Sequence, residues 1–243
     1  MEKNIRKIIS ENLKKEMNLA VYGHYGFGIL MFPTYNDSCL ENEENGLYQI
    51  IKPSIEKGKC RIFSIDGIFS ESWLSNDIDS EQKSRRHLEY NNFIVEEAVP
   101  FIYNECGGPV PIMTAGCSTG GFIAANTYFR RPDIFYGTIA MSATFNIEHY
   151  AKGYFDDNCY YNSPVHYLPH LTADYWLTFL ESRHHVYLLS GSGAGENPEN
   201  TINLHNILDS KNIDHFQDIW GHDWGHNWNT WREMLGRIVN DIL

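Results

Sequence analysis

The chain has 243 residues, a length that suits one large α/β domain with a sizeable core. Its 19 basic and 31 acidic residues give a formal net charge of −12, which repels phosphate backbones and argues against a nucleic-acid partner. The five cysteines are odd in number and lack C-x-x-C spacing. No apolar run is long enough to span a membrane, and the charged N-terminus lacks the apolar core of a signal peptide. We therefore expect a single domain over residues 1–243, cytoplasmic, with reduced thiols and no membrane partner.

Short apolar segments alternate with stretches of helical spacing in the first half of the chain. The predicted elements are a strand within 5–16, strands at 18–22 and 28–32 joined by a hairpin-like link at 23–26, a helix at 47–57, a strand at 61–65 and a long helix from 79 to about 105. Asp79 stands three residues before Gln82, which is the spacing of a capping box. The acidic tract at 41–44 is expected to be a solvated loop.

The second half continues this alternation with one exception. Its predicted elements are a strand ending at 116, an Ala-rich helix, strands at 136–142 and 186–191, a helix at 199–211, a strand at 216–220 and an amphipathic helix at 228–243. Residues 149–176 lack clear periodicity and predict an insertion near the strand ends that shapes a substrate pocket. Its aromatic and histidine side chains either line that pocket or pack: Tyr160, Tyr161, His166, Tyr167 and His170. The alternation predicts an α/β fold with a mostly parallel central sheet flanked by helices.

One motif organises the rest of the chain. Gly116-Cys117-Ser118-Thr119-Gly120 lies between an apolar strand and the Ala-rich helix. Gly-x-Ser-x-Gly in this setting predicts a nucleophile elbow, a tight turn that lifts the serine hydroxyl above the edge of the sheet. Gly116 and Gly120 lack the Cβ atoms that would collide across such a turn. The backbone N–H of Thr119 is then expected to point to where an oxyanion would form.

A serine at an elbow needs a base to accept its proton and an acid to orient that base. In chain order the acid and then the histidine follow the serine. Only His222 and His226 come after the last predicted strand, and the loop after the preceding strand offers Glu196 and Glu199. The residues alone leave both pairs open.

Several segments together resemble one family of esterases. They are the elbow, Pro132-Asp133-Ile134-Phe135, the loop Gly193-Ala194-Gly195-Glu196 and the ending His226-Asn227-Trp228-Asn229-Thr230-Trp231-Arg232. The family belongs to the α/β hydrolases and includes esterase D-like, enterochelin esterase-like and mycolyltransferase-like proteins. Its members commonly end in His-Asp-Trp-Pro-x-Trp, whereas this chain has Asn227 for the Asp and Asn229 for the Pro. The resemblance covers nearly the whole chain.

The resemblance implies an α/β-hydrolase fold with a short insertion before the strand that carries the acid. It selects His226 as the base and places Glu196, rather than Glu199, at the position of the acid. It also implies a second oxyanion donor after the strand ending at Phe32, for which we predict the backbone N–H of Tyr35.

The resulting hypothesis is a serine esterase that hydrolyses a small-molecule carboxylic ester through an acyl-enzyme. Ser118, His226 and Glu196 are the predicted catalytic residues, and no cofactor is expected. An acyltransferase with the same triad and a catalytically silent binding protein of the same fold are the alternatives. A metal pair of His222 and His226 has the i, i+4 spacing, but the glycines around it disfavour a helix and no third ligand is evident.

Overall fold

One sheet of eight strands runs through the molecule in the spatial order β1-β2-β4-β3-β5-β6-β7-β8. The computed structural model describes residues 1–243. The strands are β1 (Lys3–Ser10), β2 (Lys15–Tyr22), β3 (Phe27–Met31), β4 (Cys60–Ile65), β5 (Ile112–Cys117), β6 (Phe135–Met141), β7 (His185–Ser190) and β8 (Phe216–Ile219). Only β2 runs against both its neighbours, and every pairing from β4 to β8 is parallel. The predicted α/β fold with a mostly parallel sheet is confirmed.

Helices pack against the sheet through two apolar clusters. The helices are α1 (Glu41–Glu44), α2 (Leu47–Ile50), α3 (Lys52–Glu56), α4 (Ser80–Phe93), α5 (Val99–Glu105), α6 (Thr119–Arg130), α7 (Glu148–Ala151), α8 (Asp157–Tyr161), α9 (Pro164–His170), α10 (Asp174–Ser182), α11 (Pro198–Ser210) and α12 (Trp228–Gly236). The clusters contain 39 and 23 buried residues, and the consecutive β3 residues Ile29 and Leu30 belong to different ones. Because successive strand side chains point to opposite faces, each cluster covers one face of the sheet. None of the helices has both the length and the apolarity needed to cross a membrane.

The long helix predicted from residue 79 begins as expected. The Asp79 carboxylate accepts a hydrogen bond from the N–H of Gln82 at 2.8 Å, and the Gln82 side chain accepts one from the N–H of Asp79 at 3.0 Å. Both bonds of the capping box are therefore present. A π-helical stretch at Ile94–Ala98 separates α4 from α5 in what the sequence predicts as one helix.

The hairpin-like link predicted at residues 23–26 is wrong. β4 lies between β2 and β3 and pairs with both. At Gly26, which has φ +105°, a Cβ would lie 2.3 Å from the carbonyl oxygen of Lys59, so the link packs against the chain entering β4. Turn residues predict a change of direction, but they do not show whether a later strand inserts between the two that they join.

The solvated loop predicted at residues 41–44 is also wrong for its first two residues. Glu41 and Asn42 are buried within α1. The Glu41 carboxylate accepts hydrogen bonds from the N–H and hydroxyl of Thr34 at 2.7 and 2.6 Å, and the Asn42 amide donates to the Phe32 carbonyl at 3.1 Å. The acidic character of this tract led to the prediction of a solvated loop. The polar groups of Phe32 and Thr34 instead provide hydrogen-bond partners for Asn42 and Glu41 inside the protein.

Candidate active site

The predicted elbow lies at the carboxyl end of the central strand β5. Ser118 joins β5 to α6 with φ 53° and ψ −120°, a strained conformation for a residue other than glycine. A Cβ on Gly116 would lie 2.3 Å from the backbone of Gly120, and one on Gly120 would lie 2.6 Å from the carbonyl oxygen of Pro33. Both flanking positions therefore require glycine, and the turn holds the serine at the top of the sheet.

The histidine selected by the resemblance lies against this serine. His226 Nε2 is 3.0 Å from Ser118 Oγ, although the two residues are 108 positions apart. The N–H of His226 donates to the Ala194 carbonyl at 2.9 Å, and its ring packs edge-on against the buried Trp231 at a centroid distance of 5.0 Å. These contacts hold the imidazole in place.

Asn227 follows the histidine where the resembling proteins commonly have aspartate. Its side-chain oxygen accepts hydrogen bonds from the N–H groups of Asn229 and Thr230 at 3.0 and 3.2 Å, so Asn227 is the N-cap of α12. Asparagine and aspartate are about equally good at this position. The departure from the usual ending therefore leaves the helix start intact.

Glu196 approaches the other side of the imidazole. Its Oε2 is 3.5 Å from His226 Nδ1, and only 1% of its side chain is exposed. Burial alone would raise the pKa of Glu196, but the interactions with His226 and with the Ser142 and Ser190 hydroxyls hold it below its usual value. Glu199 is exposed in the first turn of α11, and no contact joins it to His226. The structure therefore brings Ser118, His226 and Glu196 together and leaves Glu199 outside.

Two serines that the sequence analysis missed hold the Glu196 carboxylate. Ser142 Oγ donates to Oε1 at 2.6 Å and Ser190 Oγ donates to Oε2 at 3.3 Å. Ser142 directly follows β6 with φ 51°, and Ser190 ends β7. Both serines stand at the carboxyl ends of predicted strands, which was the available sequence signal that they could face the active site. This signal becomes specific only once the order of the strands in the sheet is known.

Of the two predicted oxyanion donors, Thr119 lies directly beside Ser118 at the start of α6, whereas Tyr35 shows no contact with the site. Thr119 is the buried first residue of α6, where helix N–H groups have no intrahelical acceptor. The N–H of Thr34 already donates to Glu41, which leaves that of Tyr35 as the next along the loop after β3. The Tyr35 side chain is exposed, and neither a contact with Ser118 nor a place in the cavity wall is found for it. Tyr35 stays a prediction.

A cavity of about 410 Å³ opens above the serine. Its wall is mostly polar and consists of Ser118, Ser142, Ala143, Thr144, Asn146, His149, Tyr150, Gly195, Asn197, Asn200 and His226. Of the predicted insertion, only His149 and Tyr150 take part. Tyr167 packs in the core and Tyr161 is exposed, and the other three candidates from the insertion are also absent from the wall.

The remaining predicted histidine does not join this site. His222 is exposed, and its Nδ1 lies 3.0 Å from the Ser192 carbonyl oxygen rather than near His226. Trp220 and Trp224 pack edge-on against each other at a centroid distance of 4.6 Å. The tryptophans of this loop therefore pack with one another and with the core, as the sequence analysis favours.

Comparison with solved structures identifies the fold. A ferulic acid esterase superimposes with a TM-score of 0.74 at 17% identity, covering 98% of this chain and 95% of that one. MPT51 of Mycobacterium tuberculosis superimposes with a TM-score of 0.72 at 14% identity, covering 100% of this chain and 98% of that one. An S-formylglutathione hydrolase of Agrobacterium tumefaciens superimposes with a TM-score of 0.64 at 15% identity, covering 96% of this chain and 91% of that one. Neither a protein-family model nor a curated protein matches the sequence. The chain thus has the α/β-hydrolase fold implied by its resemblance to the esterases.

Proposed function

We propose that the chain is a serine esterase that hydrolyses a small-molecule carboxylic ester through an acyl-enzyme intermediate. The observation that carries the proposal is the 3.0 Å contact between Ser118 Oγ and His226 Nε2 at the floor of the cavity. A strained elbow serine in hydrogen-bond contact with an imidazole is the arrangement that makes a hydroxyl nucleophilic. The solved structures of the same fold that are named as esterases support the same reaction class.

The geometry supports a two-stage reaction. In the first stage His226 Nε2 accepts the Ser118 proton while Oγ bonds to the ester carbonyl carbon, and the carbonyl oxygen becomes an oxyanion. The carbonyl then re-forms as the bond to the alcohol oxygen breaks, and the imidazolium gives its proton to the leaving alcohol. In the second stage His226 takes a proton from water, the hydroxide attacks the acyl-serine, and the acid leaves as Ser118 regains its proton.

The groups around this pair have supporting roles in the proposal. Glu196, buried and 3.5 Å from His226 Nδ1, orients the imidazole and stabilises its protonated form. The Thr119 N–H and the predicted Tyr35 N–H stabilise the oxyanion. The polar cavity wall suits an ester with polar substituents on its acyl or alcohol part rather than a long alkyl chain.

The test is hydrolysis of short-chain p-nitrophenyl esters together with fluorophosphonate labelling. We expect the wild-type protein to turn over these esters and to carry the label on Ser118, and Ser118→Ala to lose both. Ser192→Ala is the matched control, because Ser192 lies in a nearby loop and contacts His222 through its carbonyl oxygen, while its hydroxyl forms no hydrogen bond with the triad. Labelling at another serine, or equal turnover by wild type and Ser118→Ala, would exclude the proposal.

A further inference from the structure

A second cluster of chemically reactive side chains lies at the opposite edge of the sheet from Ser118. His205 and Asp209 are one turn apart on α11, and His215 directly precedes β8. One ligand atom from each of the three lies within 4.8 Å of the others. The candidate active site lies at the carboxyl ends of the parallel strands. His215 lies at the amino end of β8, so the cluster and the active site are at opposite ends of the strands.

The distances within the cluster are short. His205 Nδ1 is 2.6 Å from His215 Nε2, His205 Nε2 is 3.5 Å from Asp209 Oδ2, and His215 Nε2 is 3.9 Å from Asp209 Oδ1. Ligands of a tetrahedral zinc ion, each about 2.0–2.2 Å from the metal, stand roughly 3.3 Å apart. The first two distances use different nitrogens of His205, and only one of these can bind a given ion. One nitrogen of His205, His215 Nε2 and an Asp209 oxygen lie within 4.8 Å of one another, so shifts of up to about 1.5 Å would place them around one ion.

The hydrogen bonds of His215 determine which of its nitrogens is free. Its Nδ1 lies 2.8 Å from the Ile213 carbonyl oxygen, which can only accept, so Nδ1 carries the proton and Nε2 presents a lone pair. A ring N–H donated to a backbone carbonyl is the usual support of a metal-binding histidine, because it fixes the tautomer and the ring orientation. The His215 side chain is only 4% exposed, so this orientation is held by packing.

The cluster lacks a positive charge when both histidines are neutral. A neutral His205 can donate from Nδ1 to the lone pair of His215, but its Nε2 lone pair then faces the Asp209 carboxylate. In this state the hydrogen bond from His205 occupies the His215 lone pair, whereas the His205 Nε2 lone pair and the Asp209 carboxylate face each other with no proton between them, and a cation there would satisfy both. Either a second proton on His205 or a bound metal ion supplies it.

We propose that His205, Asp209 and His215 bind a divalent transition-metal ion of the Zn²⁺ type. Two imidazoles and one carboxylate form a donor set that zinc and its neighbours prefer over Ca²⁺ or Mg²⁺. Asp209 is 63% exposed, which leaves a path for the ion and room for a water molecule as the fourth ligand. The ion would join the end of α11 to the start of β8, so it would stabilise the fold and not enter the reaction at Ser118.

The test is a Zn²⁺ titration of the chelator-treated full chain, followed by calorimetry and by thermal unfolding. We expect the wild type to bind one equivalent with a micromolar or lower Kd and to unfold at a higher temperature when loaded, because a ligand that binds only the folded state stabilises it. Co²⁺ in place of zinc should give the visible absorption bands of a four-coordinate site.

Substitutions separate this site from the other histidines. Asp209→Asn and His215→Gln should each raise the Kd at least tenfold, and Asp209→Asn keeps the test valid if the buried His215 variant does not fold. His184→Gln is the control, because His184 forms a comparable exposed pair with Asp214 at 2.8 Å and should bind zinc like the wild type. No stoichiometric binding by the wild type, or binding by Asp209→Asn as tight as that of the wild type, would overturn the proposal.

Discussion

Two buried glutamates near the candidate active site have opposite electrostatic environments. Glu196 lies under His226 and also accepts hydrogen bonds from two serine hydroxyls, and its pKa is lowered despite burial. Glu41 lies under the loop after β3, and its pKa is raised because burial outweighs the hydrogen bonds from Thr34, while the nearby charges of Asp37 and Glu44 add to the rise. The same side chain is thus held ionised at one position and destabilised as an anion at the other.

Burial alone therefore does not decide whether a carboxylate is ionised. Glu196 has an imidazole that can become positively charged, so an anion there stabilises the protonated base of the proposed reaction. Glu41 has only neutral donors, and its two hydrogen bonds hold Thr34, the residue before the predicted oxyanion donor Tyr35. Substitutions at and around the two glutamates would separate a carboxylate that supports chemistry from one that supports structure.

The largest effect is expected for Glu196→Gln. The amide keeps the size of the side chain but removes the charge that orients and stabilises the His226 imidazolium, so kcat for a p-nitrophenyl ester should fall about 10³- to 10⁴-fold. The matched control is Glu199→Gln, which alters an exposed carboxylate three residues away and should keep the wild-type rate. A wild-type rate in Glu196→Gln, or a loss in Glu199→Gln as large as that in Glu196→Gln, would contradict the assignment of Glu196 as the acid.

A smaller effect is expected for Ser142→Ala. This change removes the 2.6 Å hydrogen bond to the Glu196 carboxylate, and hydrogen bonds to charged groups contribute about 1.5–3 kcal/mol. We expect kcat/KM to fall about tenfold and the pKa of Glu196 to rise, which would narrow the pH range of activity on its acid side. The pH profile separates this role from simple loss of folded protein, and Ser192→Ala should leave the profile unchanged.

The smallest effect is the pH dependence that Glu41 gives to stability. Between the usual glutamate pKa of 4.5 and the raised value, folded wild-type protein holds more protons than unfolded protein, so its free energy of unfolding decreases as the pH rises. Relative to Glu41→Gln, the wild type should therefore gain free energy of unfolding when the pH is lowered from 7 towards 4.5.

Urea unfolding of both proteins at several pH values measures this difference. Glu196 should contribute with the opposite sign, because a lowered pKa adds stability above the usual value that is lost as the pH falls through the lowered one. If the free energy of unfolding of the wild type increased relative to that of Glu41→Gln as the pH rises, the raised pKa of Glu41 would be contradicted.

The sequence predicts best what depends on neighbouring residues. The elbow around Ser118 and the capping box at Asp79 are local patterns with steric or hydrogen-bonding causes, and both are present in the structure. The strand segments were also recognisable, because buried strands of a parallel sheet are short apolar runs. The choice of His226 over His222 came from the resemblance, not from local spacing.

What depends on contacts between distant residues could not be predicted. Ser142 meets Glu196 across 54 positions, and His205 meets His215 around the end of α11, so neither pair leaves a pattern in the sequence. The solvated loop predicted at Glu41 failed for a different reason, because local charge does not show that the neighbouring loop folds over this side chain and offers it the backbone N–H and hydroxyl of Thr34. Polar residues at strand ends acquire a role only after the strand order is known.

The position of β3 between β4 and β5 has a consequence for how the chain folds as it is synthesised. Both neighbours of β3 follow it in the sequence, so its two edges are filled only after residue 117 has emerged from the ribosome. A nascent chain that ends before β5 holds an apolar strand with an unpaired edge, which is a surface that other chains can pair with. The segment Ile112–Cys117, which ends at the elbow, is therefore also the piece whose arrival closes the centre of the sheet.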